Sequence, residues 1–256
     1  MKRDRAALIV APPERKHCVI PVYYLAHFPG NPPMPTLCRA LGAATLLASL
    51  VAPLAAQDAA ELCKSIGRVT VGQWSSYTMT GGKADGAKLR LAIVGQERRG
   101  DSTLYWLEIS GNGGPSGKGG ILQLLVPGFG VDATAIRGMI VKTAGQPAMK
   151  MPDQMVSMMG QNMGQNNEAV DVARRCASAQ VVGWESVSVP AGSVRALHLK
   201  NVDGGEAWVA RDVPFGIVKA RPKDGGEMVL TGHGMDAKSS IIEKPQEMPG
   251  MMLPKP

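Results

Sequence analysis

Between residues 69 and 234 apolar and polar positions alternate over most of the chain, with a period of two. The stretch 69–79, VTVGQWSSYTM, is followed by turn residues GGKADG at 81–86. Segment 87–95 then places Leu89, Leu91 and Ile93 on one face of a strand. Segment 102–110 alternates again, with Leu104, Trp106 and Glu108 opposite Tyr105, Leu107 and Ile109. A glycine-rich loop at 111–120 leads to a strand at 121–126, and 139–143 adds another. The last third is the most regular. Runs at 179–189 and 193–200 around Pro-Ala-Gly predict a hairpin, and 206–210, 215–221 and 227–234 follow between turn sequences. KSSIIE at 238–243 adds a final short strand. Helical spacing is confined to three short pieces. These are 58–66 (Ala59, Leu62, Cys63, Ile66), 152–164, and 166–178 (Ala169, Val172, Ala173, Cys176). The pattern predicts a mainly antiparallel β fold of the α+β class, with about nine strands in one curved sheet and a few short helices. No β-α-β alternation occurs, which excludes a mostly parallel sheet.

The N-terminal quarter has a different character. From Met34 the chain reads MPTLCRALGAATLLASLVAPLAAQ: one arginine, an uncharged apolar run, then Leu54-Ala55-Ala56 before Gln57. That is the layout of a secretory signal peptide cut after Ala56. The apolar run is shorter than the roughly 20 residues a membrane span requires. Residues 1–33 have no period and six prolines, and read as an upstream extension preceding the true start at Met34. The domain plan is therefore a leader at 34–56, one domain at 57–244 and a disordered Pro/Met tail at 245–256. No lipobox cysteine is present. Export places the protein in the periplasm or outside the cell, with no stable membrane span after cleavage. Two cysteines remain, Cys63 and Cys176, and in an oxidising compartment they are read as a disulfide.

The formal charge of +7 shrinks on inspection, since residues 57–256 carry twenty-two Lys/Arg against nineteen Asp/Glu. These charges are scattered, which argues against a nucleic-acid partner. Catalytic patterns are also lacking. GDSTL at 100–104 lies in a turn, GPSGKGG lacks the spacing of a phosphate loop, and His198 and His233 have no acidic partner at metal-binding spacing. His198, in a strand, is read as facing solvent. No enzyme, cofactor or metal centre is expected.

The densest chemical signal is methionine. Six of the sixteen residues at 149–164 are Met, and Met155, Met158, Met159 and Met163 fall on one stripe of a short helix begun by Pro152. Unbranched thioethers adapt to irregular apolar partners, so the stripe suits a lining for a hydrophobic ligand. The same stripe can equally be plain core. Thioethers also select Cu(I), and Met248, Met251 and Met252 in the tail add to that reading, but no His or Cys lies near the stripe.

Three stretches together resemble the LolA-like class of periplasmic proteins, the outer-membrane lipoprotein-sorting and related domain families. They are VGQWSSYTM with LRLAIVGQE and YWLEIS, then MIVKTAGQPAMKMP, then VPAGSVRALHLK with EAWVARDVPFGIVKA and EMVLTGHGMDAKS. The resemblance covers roughly 68–242, and Trp208 to Lys219 carries most of it. It implies a curved half-barrel closed by helices around an apolar cavity that holds a lipid, acyl chain or lipoprotein. The residues expected there are Met155, Met158, Met159 and Met163, with Trp74, Trp106 and Phe129. The alternatives are a structural or interaction module of the cell envelope, with an envelope protein as partner and a filled core, and a Met-rich copper-binding protein.

Overall fold

The computed structural model describes residues 51–112, 119–131, 133–164, 172–223 and 225–248. The expected extension at 1–33, most of the leader, and the tail beyond 248 lie outside these residues. Helix α1 (Val51–Ile66) comes first, and its start precedes the expected cut after Ala56. Strands β1 (Trp74–Thr80), β2 (Lys88–Arg99), β3 (Ser102–Asn112), β4 (Gly120–Val126), β5 (Gly138–Thr143) and β6 (Met149–Lys150) follow. Helices α2 (Asp153–Gly164) and α3 (Val172–Ser178) separate these from β7 (Gln180–Val189), β8 (Gly192–Lys200), β9 (Glu206–Val209), β10 (Ile217–Arg221), β11 (Glu227–Gly234) and β12 (Gln246–Glu247). One sheet of twelve strands results, in the order β12-β6-β5-β4-β3-β2-β1-β11-β10-β9-β8-β7. All neighbours are antiparallel except β12 and β6, which run parallel.

Twelve strands replace the expected nine, and the sheet is open, with β12 and β7 as its edges. The additional β6 and β12 have two residues each, too few to show a period. Gln246 and Glu247, placed in the disordered tail by sequence, pair with Met149 and Lys150. KSSIIE forms no strand and crosses the sheet as a strap instead.

The sheet rolls over at its β7 end. The Ala191 N–H, in the β7–β8 turn, donates to the Leu230 carbonyl of β11 at 3.2 Å. In a flat sheet β8 and β11 lie three strand spacings apart, about 14 Å. Bulges at Ser76/Tyr77, Ile93/Gly95, Ile217/Lys219 and Val181/Gly183 supply local bend and twist.

Residues opposite one another in the ladders share a face, so the register sorts the side chains. Ile93, Leu107, Leu124 and Met139 form one buried inner row. Leu62, Cys63 and Ile66 of α1, Val156 of α2 and Cys176 of α3 close over the same core. A disulfide joins Cys63 to Cys176, with the Cα atoms 5.6 Å apart. The opposite, outer face carries the row Trp74–Ala92–Glu108–Gln123–Ile140.

Candidate functional site

The inner face is apolar, and its cover thins towards one end. The row next to the buried one, Ile109–Leu122–Val141, is only half-buried in all three positions. Helix α2 packs over β5 and the short helical turn Ala133–Ala135. Pro152 precedes α2 and Asp153 occupies its first turn, where a carboxylate favours the helix N-terminus. Contact with the turn is close: a Cβ on Gly160 would stand 2.8 Å from the Ala133 carbonyl oxygen. Val156 is buried, Met155 and Met159 are half-buried against the core, and Met158 is 57% exposed. Met163 belongs to α2, but its side chain lies outside the description. Phe129 is buried with them in the core and meets Phe215 edge-on, ring centroids 4.8 Å apart. Tyr77 is also buried on this side, and burial pushes its phenol above the ordinary range.

Trp74 and Trp106 do not join this group. Trp74 pairs with Ala92 in the register and Trp106 with Leu125, which puts both on the outer face. There Trp106 packs with Ile140, Ala148 and Ile241 in a second, smaller cluster. Trp74 stacks under the Arg90 guanidinium at 5.0 Å and donates its indole N–H to Asp236 at 2.7 Å. That hydrogen bond, first among several causes, holds the Asp236 carboxyl below its ordinary range.

Asp236 begins the strap, residues 235–248, which crosses β1 to β6 on the outer face. Its central anchor is Glu108, a carboxyl with no exposed surface. Ser240 donates to Glu108 from its backbone N–H at 3.0 Å and its hydroxyl at 2.6 Å, and the Gln123 amide donates at 2.9 Å. Glu243 lies 2.7 Å from the Lys142 ammonium, whose hydrogen bond is the main cause lowering the Glu243 pKa. Beyond it, Gln246 and Met248 donate backbone hydrogen bonds to Ala148 and Lys150.

Beside the strap, at the ends of β1 to β5, the outer face holds a cleft of about 660 Å³. The register places Ser76, Arg90, Ser110, Ile121 and Lys142 in one row, and Thr78, Lys88 and Asn112 in the next. All eight line the cleft, and none of the seven residues expected at the ligand site does. Sequence reading passed over this set because each strand contributes only one or two polar residues. The alternation that put Trp106 and Glu108 opposite Leu107 does carry the signal, once the strand order is known.

The far half of the outer face is closed by a network around Trp208. His198, expected to face solvent, stacks on the indole with centroids 4.3 Å apart, and its side chain is 16% exposed. The Trp208 N–H donates to Glu185, and Lys219 lies over the ring at 5.0 Å. Lys219 and Arg221 both pair with Glu227, whose carboxyl the Lys219 hydrogen bond, first among causes, holds below its ordinary range. Every charge is answered inside this network. Among the described residues no cluster of three or more His, Cys, Asp or Glu is placed to hold a metal, and both cysteines are committed to the disulfide.

No protein-family model matches the sequence, and no curated protein matches it. Solved structures do. A proposed lipoprotein from Parabacteroides distasonis is 10% identical, with a TM-score of 0.33, over 66% of this chain and 98% of that one. A proposed exported protein with a YmcC-like fold from Bacteroides fragilis is 13% identical, with a TM-score of 0.31, over 64% and 96%. MucB, solved in complex with MucA(peri), is 12% identical, with a TM-score of 0.30, over 74% of this chain and 59% of its own. None of the three is named as a LolA-like protein. Identities and TM-scores at this level transfer no residue's role.

Proposed function

We infer that this is an exported, non-enzymatic binding protein of LolA-like type, whose inner sheet face holds a lipid, acyl chain or lipoprotein under helix α2. One observation carries the reading: the apolar row Ile109–Leu122–Val141 of the inner face is only half-buried, and Met155 and Met159 of α2 are half-buried against the same core. A wholly filled core would bury that row as it buries Ile93–Leu107–Leu124–Met139. The disulfide supports export, since such bonds persist in oxidising compartments. No described helix is long and apolar enough to cross a membrane.

The buried Val156 and half-buried Met155 and Met159 favour one competing reading, in which α2 simply seals the core of an envelope interaction module. Displacement of a fluorescent fatty-acid probe separates the two. Wild-type protein is expected to bind the probe, and Leu122→Glu to weaken binding by about tenfold or more while the protein stays folded, because the charge meets an apolar chain without a partner. Absence of binding by the folded wild type would leave the sealing role alone standing.

A further inference from the structure

The geometry points to a second binding site, for the phosphate group of an anionic ligand, in the outer-face cleft. Lys88 and Arg90 stand two residues apart on the same face of β2, about 7 Å along the strand. Thr78 and Ser76 flank them on β1, and Asn112 and Ser110 on β3, each about 5 Å away across the ladder. The result is a patch two residues deep and three strands wide, with two cations along its middle and short donors on both sides. Among the described residues no side chain forms an ion pair with Lys88, and none stands within ion-pair distance of Arg90, which meets the Asp236 carboxylate only through space across Trp74. Among the same residues the Ser76, Thr78 and Ser110 hydroxyls have no hydrogen-bond partner.

The cleft lining contains no carboxylate, and Lys142 at its other wall is already neutralised by Glu243. The Trp208 network shows the opposite condition, with cations and carboxylates in mutual contact. Phosphate fits better than carboxylate. Donors arrive from three neighbouring strands, and a tetrahedral group directs oxygens to all three, whereas a planar carboxylate presents two in one plane. Arg90 is held over Trp74, so part of the cost of ordering the guanidinium is met before any ligand arrives. The phosphate can belong to a free anion or to a lipid head group; the chemistry of capture is the same.

The test uses the full-length processed protein and two probes. One is inorganic phosphate, followed by amide and side-chain NMR shifts of the cleft residues. The other is flotation on vesicles of phosphatidylglycerol with phosphatidylcholine, against phosphatidylcholine alone. Saturable phosphate shifts at Lys88, Arg90 and Ser110 identify a free anion as sufficient. Flotation with anionic vesicles alone identifies a head group. In either case the double variant K88Q/R90Q should lose about tenfold or more in affinity, the effect expected of charge-assisted hydrogen bonds. Ser110→Glu, which retains both cations, should lose as much. Acetate at equal concentration should displace little phosphate. The proposal is overturned if the folded wild type binds neither probe, if both variants bind as well as wild type, or if acetate competes equally. Fatty-acid-probe binding by K88Q/R90Q should be unchanged, so failure here and failure of the inner-face reading are distinguishable.

Discussion

Glu108 lies on the face of β3 opposite Leu107 and Ile109, and the strap hides it completely. Its oxygens accept hydrogen bonds from Ser240 and Gln123, so removing the carboxyl releases the strap at Ser240 and leaves the buried Gln123 amide with Ser239 alone as acceptor. Glu108→Ala should lower the unfolding free energy by about 3 kcal/mol in urea denaturation, and Glu108→Gln, which keeps an acceptor oxygen, by about 1 kcal/mol. The alternation of residues 102–110 already divided that strand correctly, with Trp106 and Glu108 on one side. The same alternation argues against Trp106 as cavity lining, because it sets the ring opposite Tyr105 and Leu107. A buried glutamate is nonetheless unreadable from β3 alone, since its cover comes from Ser239 and Ser240, more than a hundred residues away and without any period. Phe129, expected as cavity lining, is buried in the core, and its neighbour was not legible: Phe215 adopts a positive φ of 64°, which no local pattern announces.

At the scale of elements, the disulfide ties α1 to α3 across a sequence separation of 113. On the chain-entropy model a loop of that length is worth about 4–5 kcal/mol. The double variant Cys63→Ala/Cys176→Ala should lose roughly that much stability, and dithiothreitol should bring the wild type to the same denaturation midpoint. The bridge was readable because only two cysteines follow the leader and both lie on helical stripes. The long strands were readable for a similar reason: five or more alternating residues give an unambiguous period, and two residues in β6 or β12 give none. Helix α2 was legible as a helix, but its buried positions are Val156 and Gly160 with Met155 and Met159 half-buried beside them, Met158 of the expected stripe is exposed, and its seat on the Ala133–Ala135 turn depends on the close approach at Gly160.

For the whole molecule, the strap divides the outer face into a covered part and the open cleft. Its first anchor is sensitive to acid. The Asp236 carboxyl has a folded pKa below the ordinary value of about 3.9. Its contact with Trp74 therefore contributes fully above that value and is lost as the pH falls through the lowered one. Amide exchange at Ala237, which donates to the Gly72 carbonyl, should accelerate below about pH 4 beyond the intrinsic pH trend, and Asp236→Asn should largely remove that change. The strand order has a separate consequence, one of timing. β1 sits mid-sheet between β2 and β11, so Tyr77 waits for Leu230, a separation of 230 − 77 = 153 residues. Contacts that distant form slowly. For a chain emerging N-terminus first, both cysteines are present before β7 begins at Gln180. The two helices can thus be joined covalently before β7, the strand that α1 packs on, has been made, while the β11 side of β1 is still an unpaired edge. Until the last hairpins arrive, the nascent protein is a half-sheet with a bridged pair of helices and one adhesive side, the stage at which it most needs protection from its own copies.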